Sequence, residues 1–267
     1  MRLPAAVRLA RRPNFPAVAA ALALLAIAPD GARADEPVSF VPAGASGPEL
    51  RGYFAKPKGA GPFPAVVLLH TCLGLPSNRR ETEAALVASG YAALSVDDFT
   101  ARGLKETCSV DFPEGIADAY GALAWLAARP DIDGSRVAVF GASQGGDTAL
   151  SIATGRGAGP RGLAFRTAAV FYAPCANQDG AQLKIPTLIV VGRADEVTPA
   201  ADCEAFAAAQ AAGQATLAVI PGAPHGFDDP AFRGGRRVLG MSLGYDPKAA
   251  AAARAKLMGF LARELRP

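Results

Sequence analysis

The sequence predicts an α/β domain with a mostly parallel central sheet and helices on both faces. Three observations predict it. Short, wholly apolar runs such as 65–69 (AVVLL) and 187–191 (TLIVV) read as strands buried on both faces. Segments with helical periodicity separate these runs, so strand and helix alternate through the body. The chain of 267 residues has neither an internal repeat nor a long linker, and that length suits one large domain of this class.

Taken in order, 38–41 and 50–55 predict two short strands around a Gly/Pro-rich turn, an opening hairpin. Run 65–69 is the first buried strand. Residues 80–88 predict a helix that stops at Gly90, and 92–96 predict the next strand. A longer helix is expected over 113–129, where Ile116, Tyr120, Leu123 and Leu126 share one stripe and Pro130 ends it. Trp125, the sole tryptophan, is expected to pack with that helix's core contacts rather than stack on a ligand. Residues 137–140 (VAVF) predict a strand, and a helix of small residues follows Ser143. Strands are expected at 168–172 and at 187–191, the latter opened by Pro186. A helix over 200–211 and a strand over 215–220 follow. Asp246-Pro247 reads as an N-cap with proline at the first helical position, and Ala250, Ala253, Leu257, Leu261 and Leu265 form one face of a closing helix. The stretches 97–112 and 221–246 are long and carry no clear element. Both leave the carboxyl ends of strands, where open α/β sheets place their sites.

The charge count divides the chain. Lys and Arg number 27 against 24 Asp and Glu, but residues 1–34 hold Arg2, Arg8, Arg11, Arg12 and Arg33 against the single acid Asp30. The remainder carries 22 basic and 23 acidic residues. Such a body offers no field for a phosphate backbone, so no nucleic-acid partner is expected. Charged residues at 19% and apolar residues at 51% exclude a disordered chain. Two histidines and no CxxC pair leave little material for a metal site, and none is expected.

In the first segment, four arginines precede the twelve-residue apolar stretch 17–28 (AVAAALALLAIA), and Ala32-Arg33-Ala34 follows. This is the layout of a cleavable secretory signal, with cleavage expected after Ala34. Twelve residues are too few for a membrane span, which needs about 20. The expected organisation is a signal peptide over 1–34 and a single domain over 35–267, periplasmic or secreted, with no stable membrane insertion after cleavage. The residues after Arg11-Arg12 fit a twin-arginine signal poorly, which favours the general export route. An oxidising compartment permits disulfides among Cys72, Cys108, Cys175 and Cys203, with three pairings open.

The chemistry is written where strand 137–140 runs into Gly141-Ala142-Ser143-Gln144-Gly145-Gly146. This is G-x-S-x-G between a strand and a helix, a sharp turn that exposes the Ser143 hydroxyl above the sheet. Serine is a weak nucleophile without a base. The expected chain order is Ser, then Asp or Glu, then His, and only His225 lies downstream. The acid belongs on a loop after a late strand, which selects Asp195 over its neighbour Glu196 in Gly192-Arg193-Ala194-Asp195-Glu196. The oxyanion donors are expected from the backbone N–H of Gln144 and, in the loop His70-Thr71-Cys72-Leu73-Gly74, of Cys72. His70 is expected to brace that loop by hydrogen bonding.

Together these residues resemble the dienelactone hydrolase family of α/β-hydrolases, as a serine-nucleophile variant. The likeness spans about residues 48–266 and rests on FPAVVLLHTCLG, GYAALSVDDFTARG, GASQGG, GRADEVTP, PHGF and the YDPKAAAAA helix. It implies the α/β-hydrolase fold with little or no cap, the triad Ser143, Asp195 and His225, an oxyanion hole at Cys72 and Gln144, and no cofactor. Two departures bear on substrate. The namesakes use cysteine where this chain has Ser143. They also grip a substrate carboxylate with arginines, of which only Arg102 has a counterpart here, as a substrate contact or a surface salt bridge. Asp228 and Asp229 follow the histidine instead, which argues against a dianionic lactone. In the implied strand order the loops of Cys72 and Cys108 leave neighbouring strands, as do those of Cys175 and Cys203, while a Cys108–Cys175 pair stays open.

The expected function is an exported serine hydrolase that cleaves a small-molecule carboxylic ester or lactone through an acyl-enzyme, as a monomer or small homo-oligomer. A serine peptidase or polyester hydrolase on the same triad is the near alternative. A non-catalytic hydrolase-fold binding module is the distant one.

Overall fold

The computed structural model describes residues 35–266 except 45, 46, 111 and 113. The proposed signal segment 1–34 lies outside the described residues, as does Pro113.

Strands β1 (Glu36–Phe40) and β2 (Leu50–Ala55) form the expected antiparallel hairpin. There follow β3 (Phe63–Leu69), α1 (Arg79–Ala88), β4 (Ala92–Asp97), α2 (Glu114–Ala127), β5 (Ile132–Ala142), α3 (Gln144–Ala153), β6 (Thr167–Phe171), β7 (Thr187–Gly192), α4 (Ala200–Ala208) and β8 (Ala215–Ile220). The eight strands form one sheet in the order β1-β2-β4-β3-β5-β6-β7-β8. Pairing is antiparallel from β1 through β4 and parallel from β4 to β8. A closing helix α5 (Pro247–Leu265) starts as predicted, with Asp246 accepting from the backbone N–H groups of Lys248 and Ala249.

The apolar runs are explained by two cores. Along β3, Ala65, Val67 and Leu69 enter one cluster with α2, α3 and α4, through residues such as Leu123, Leu150 and Phe206. The alternate residues Val66 and Leu68 enter a second cluster with α1 and α5, through Leu86, Leu257 and Leu261. Val137 and Val139 against Ala138 and Phe140 repeat the alternation on β5. With a core on each face, a strand has no polar side, and periodicity of two disappears from its sequence. Trp125 packs edge-on against Phe54 with ring centroids 5.2 Å apart.

Two details differ from expectation. Strand β5 begins five residues before 137, and its register against β3 shifts between Phe63 and Ala65. The stretch 221–246 holds a small hairpin, β9 (Arg236–Val238) and β10 (Met241–Leu243), whose two-residue turn puts Leu239 at φ 48° and Gly240 at φ 83°.

Candidate active site

Loops at the carboxyl edge of the parallel strands meet at Ser143. This residue joins β5 to α3 with φ 52° and ψ −118°. Positive φ is sparsely populated for a residue with a side chain, and it holds the hydroxyl clear of both elements. Close backbone approach explains the flanking glycines. A Cβ on Gly141 would lie 2.1 Å from the Gly145 carbonyl oxygen, and one on Gly145 would lie 2.4 Å from that of His70. The second contact seats the first turn of α3 directly on the loop after β3.

His225 Nε2 lies 3.0 Å from Ser143 Oγ, and its Nδ1 lies 2.9 Å from Asp195 Oδ2. With Nδ1–H donating to the carboxylate, Nε2 is left to accept from the serine hydroxyl. All three residues are buried. The Asp195 carboxylate is fixed by its own turn. Oδ1 accepts from the N–H groups of Val197 at 2.9 Å and Thr198 at 2.8 Å, and Oδ2 accepts from the Thr198 hydroxyl at 2.9 Å. Glu196 is exposed. The Tyr172 ring meets the His225 imidazole edge-on at 4.7 Å, and its hydroxyl donates to Asp228 at 2.5 Å. Burial first, and then the Asp228 charge, push the Tyr172 phenol well above its ordinary range, so it stays a donor.

The loop after β3 is a tight turn in which Gly74 N–H donates to the Thr71 carbonyl at 3.0 Å and Leu73 N–H to the Thr71 hydroxyl at 3.2 Å. Among the described residues, no protein acceptor takes the backbone N–H of Cys72 or of Gln144. His70 braces the turn, its Nδ1 donating to the Thr71 carbonyl at 2.7 Å. Its Nε2 lies 2.6 Å from Asp98 Oδ1, a close ionic contact at an angle poor for a hydrogen bond. Burial opposes charge on this imidazole, but the Asp98 carboxylate outweighs it and raises the pKa.

Arg102 stands apart from the cleft. Its guanidinium pairs with Asp118 at 2.9 Å and donates to the Asp98 carbonyl at 2.7 Å. The Asp118 side chain is fully buried and that of Arg102 is only 14% exposed. This is an internal tie between the β4 loop and α2 rather than a surface salt bridge, and Arg102 is not among the residues that line the cleft above Ser143. Burial pushes the Asp118 carboxyl up to about 6, against the pull of Arg102. A raised folded pKa means stability that is present below the unfolded value of 3.8 and lost as pH rises through about 6. Relative to Asp118→Asn, which has no proton to lose, the wild type should therefore lose about 2 kcal/mol between pH 4.5 and 8. Thermal melts at the two pH values should show the gap moving in the variant's favour by roughly 4–8 °C. A constant gap would contradict a buried, titrating Asp118.

The cleft above Ser143, counted together with the solvent space at its open mouth, spans about 750 Å³. Its walls are largely apolar, with Leu73 and Leu75 from the loop after β3, Phe232, and Met241 and Leu243 from the small hairpin. Its charged lining is Asp228, Asp229 and Arg79. Arg79 is already engaged by Asp35 and Glu83, and Asp229 accepts from Ser77 and from Ala231 N–H. Burial, and then the neighbouring Asp229, raise the Asp228 carboxyl.

Residues 50–265 match the family model described as dienelactone hydrolase family. The chain belongs to the dienelactone hydrolase family. By family it is an ester-bond hydrolase. Its relatives include an uncharacterized protein of Mycobacterium tuberculosis (strain ATCC 25618 / H37Rv), 31% identical over 214 residues, or 72% of this chain and 73% of that one. Among solved structures it is similar to the dienelactone hydrolase-like promiscuous phosphotriesterase P91 from metagenomic libraries, at TM-score 0.67 and 21% identity over 87% of this chain and 99% of that one. It is also similar to Thermogutta terrifontis esterase 2 phosphorylated by paraoxon, at TM-score 0.65 and 20% identity over 89% of this chain and 97% of that one. These likenesses carry the family's α/β-hydrolase fold.

Two disulfides, Cys72–Cys108 and Cys175–Cys203, join the segments that follow neighbouring strands, with Cys203 in α4, so the Cys108–Cys175 alternative is not formed. Among the described residues no helix is long and apolar enough to cross a membrane. Sequence reasoning missed Thr198 and Tyr172. Thr198 stands three residues after Asp195, a spacing that signals a side-chain-capped turn. The Tyr172 ring and hydroxyl meet His225 and Asp228 across more than 50 residues, and nothing local marks them.

Proposed function

We propose that the protein is an exported serine esterase in which Ser143 attacks the acyl carbon of a neutral carboxylic ester or lactone. The observation that carries this reading is the unbroken relay from Ser143 Oγ to His225 Nε2 at 3.0 Å and from Nδ1 to Asp195 at 2.9 Å, at the base of an open cleft. His225 takes the serine proton and delivers it to the leaving alkoxide, and Asp195 holds the imidazole in the required tautomer. The amides of Cys72 and Gln144 stabilise the oxyanion. Water then resolves the acyl-enzyme by the same proton path, and no step calls for a cofactor. Residues 1–34 direct export and are removed after Ala34. Two disulfides are compatible with an oxidising compartment.

Labelling by a fluorophosphonate tests the reaction type, a probe suited to a fold whose neighbours include a phosphotriesterase and an esterase phosphorylated by paraoxon. The full-length and 35–267 proteins should both label, and p-nitrophenyl esters of increasing acyl length should then rank the substrates. No labelling and no turnover of any ester would sink the reading.

The cleft's charge sets a second expectation. Arg79 is neutralised by its own partners, so a substrate carboxylate would face Asp228 and Asp229 with no free Lys or Arg among the described residues of the lining. A neutral p-nitrophenyl butyrate should exceed the matched hemisuccinate by about 10-fold or more in kcat/KM, since like-charge contact in a cleft costs more than about 1.4 kcal/mol. Equal rates would contradict it.

A further inference from the structure

Resting on the esterase reading, we infer that Thr107 is a positioning residue that locks the two oxyanion amides together. Thr107 lies in the long loop after β4, far from the elbow and from the β3 loop in sequence, yet it is bonded to both. Its N–H donates to the carbonyl of Cys72 at 2.9 Å. Its hydroxyl donates to Gln144 Oε1 at 2.6 Å, and its carbonyl accepts from Gln144 Nε2 at 3.2 Å. The next residue, Cys108, is joined to Cys72 by a disulfide. Thr107 is 2% exposed, so water does not compete for these bonds.

The residues at the two ends of this clamp are those whose backbone amides face the developing oxyanion. Those amides sit on separate segments, the turn after β3 and the first turn of α3. Pairing of Leu69 with Gly141 and the close approach of Gly145 to the His70 carbonyl set these segments side by side, which leaves the aim of the two amides against each other to be fixed. The clamp fixes it, by holding residue Cys72 through the carbonyl that follows its donating N–H and residue Gln144 through its side chain, with the disulfide limiting how far the first can move. An oxyanion hole acts only if its donors are preorganised where charge develops, and small displacements of them act on the transition state rather than on the bound ester.

Removing the Thr107 hydroxyl should therefore lower kcat and leave KM nearly unchanged. Thr107→Val keeps the volume and both backbone contacts but loses the 2.6 Å bond. It should lower kcat by about 10-fold, less than the loss of an oxyanion donor itself, with KM within about twofold. Affinity for an alkylboronic acid, which mimics the tetrahedral intermediate, should fall by the same factor, while affinity for the product carboxylic acid should not. Thr107→Ser restores the hydroxyl and should return kcat to within about twofold. Gln144→Ala removes the other half of the bond without touching the backbone amide, so the double variant with Thr107→Val should be no worse than the poorer single. Wild-type kcat in Thr107→Val, equal losses in the Val and Ser variants, or additive losses in the double would overturn the inference while the wild type remains an active esterase. An inactive, unlabelled wild type would overturn the esterase reading and this one with it.

Discussion

Ser143→Ala is expected to lower kcat for any ester by roughly 10⁴- to 10⁶-fold while the protein stays folded. The argument runs from the geometry. A serine hydroxyl becomes nucleophilic only as its proton leaves, and in the proposed reaction the acceptor is His225 Nε2, 3.0 Å away. Alanine removes the attacking oxygen, so the oxyanion amides and the cleft can only help water, and that help is the residual rate. The fold should tolerate the change. Alanine keeps the Cβ that already sits at φ 52°, and the lost hydrogen bond is worth about 1 kcal/mol. KM should change little, because the cleft walls are untouched. His225→Ala should cost nearly as much as Ser143→Ala, and the double variant no more than either, since the groups act as one unit. Stopped-flow release of p-nitrophenol, with melts on each variant, checks all of this. A Ser143→Ala enzyme within tenfold of wild type would remove Ser143 from the chemistry.

Why was so much of this site legible before the fold? Ser143, Asp195 and His225 each lie at a local boundary that the sequence marks, after VAVF, after TLIVV and after the last parallel strand. An open parallel sheet gathers such boundaries at one edge, so placing three residues after three strands already brings them near one another. The four cysteines follow the same logic. What stayed hidden depends on contacts between distant segments. The clamp at Thr107 joins a loop to residues 35 and 37 positions away, and no periodicity records it. The Arg102–Asp118 pair is equally silent, because the neighbours of Arg102 in sequence, Asp98 and Phe99, say nothing of Asp118, which α2 brings to it. The hairpin of β9 and β10 is invisible in the sequence because each strand is three residues long and its turn is Leu239-Gly240, with Leu at the first position where a two-residue turn with both φ positive usually signals itself by Asn, Asp or Gly before the glycine. That hairpin supplies Met241 and Leu243 to the cleft, so the least legible element is one that lines the candidate site.

Replacing Cys175 and Cys203 together by alanine is expected to cost about 3–4 kcal/mol of stability and to leave ester kinetics close to wild type. The pair closes a loop with a sequence separation of 28 and ties the short turn after β6 to α4. Loop closure of that length contributes about 3.6 kcal/mol by restricting the unfolded chain. α4 has little else to hold it. Its nine residues include five alanines, its N-cap is Pro199 without a side-chain cap, and its buried anchors are Ala200, Cys203 and Phe206. For a domain of this size the melting temperature should fall by roughly 7–14 °C. The Cys72–Cys108 pair is the matched comparison. Its separation of 36 adds only about 0.2 kcal/mol of loop entropy, so its double alanine variant should melt in the same range. The two should part on catalysis. Loss of Cys72–Cys108 frees one side of the clamp at Thr107 and should lower kcat well beyond any effect of the Cys175–Cys203 change, measured at a temperature where both variants are fully folded. Equal kcat in the two variants would mean that both disulfides act on stability alone, and melts unchanged by either would mean that the pairs are absent from the folded protein in solution.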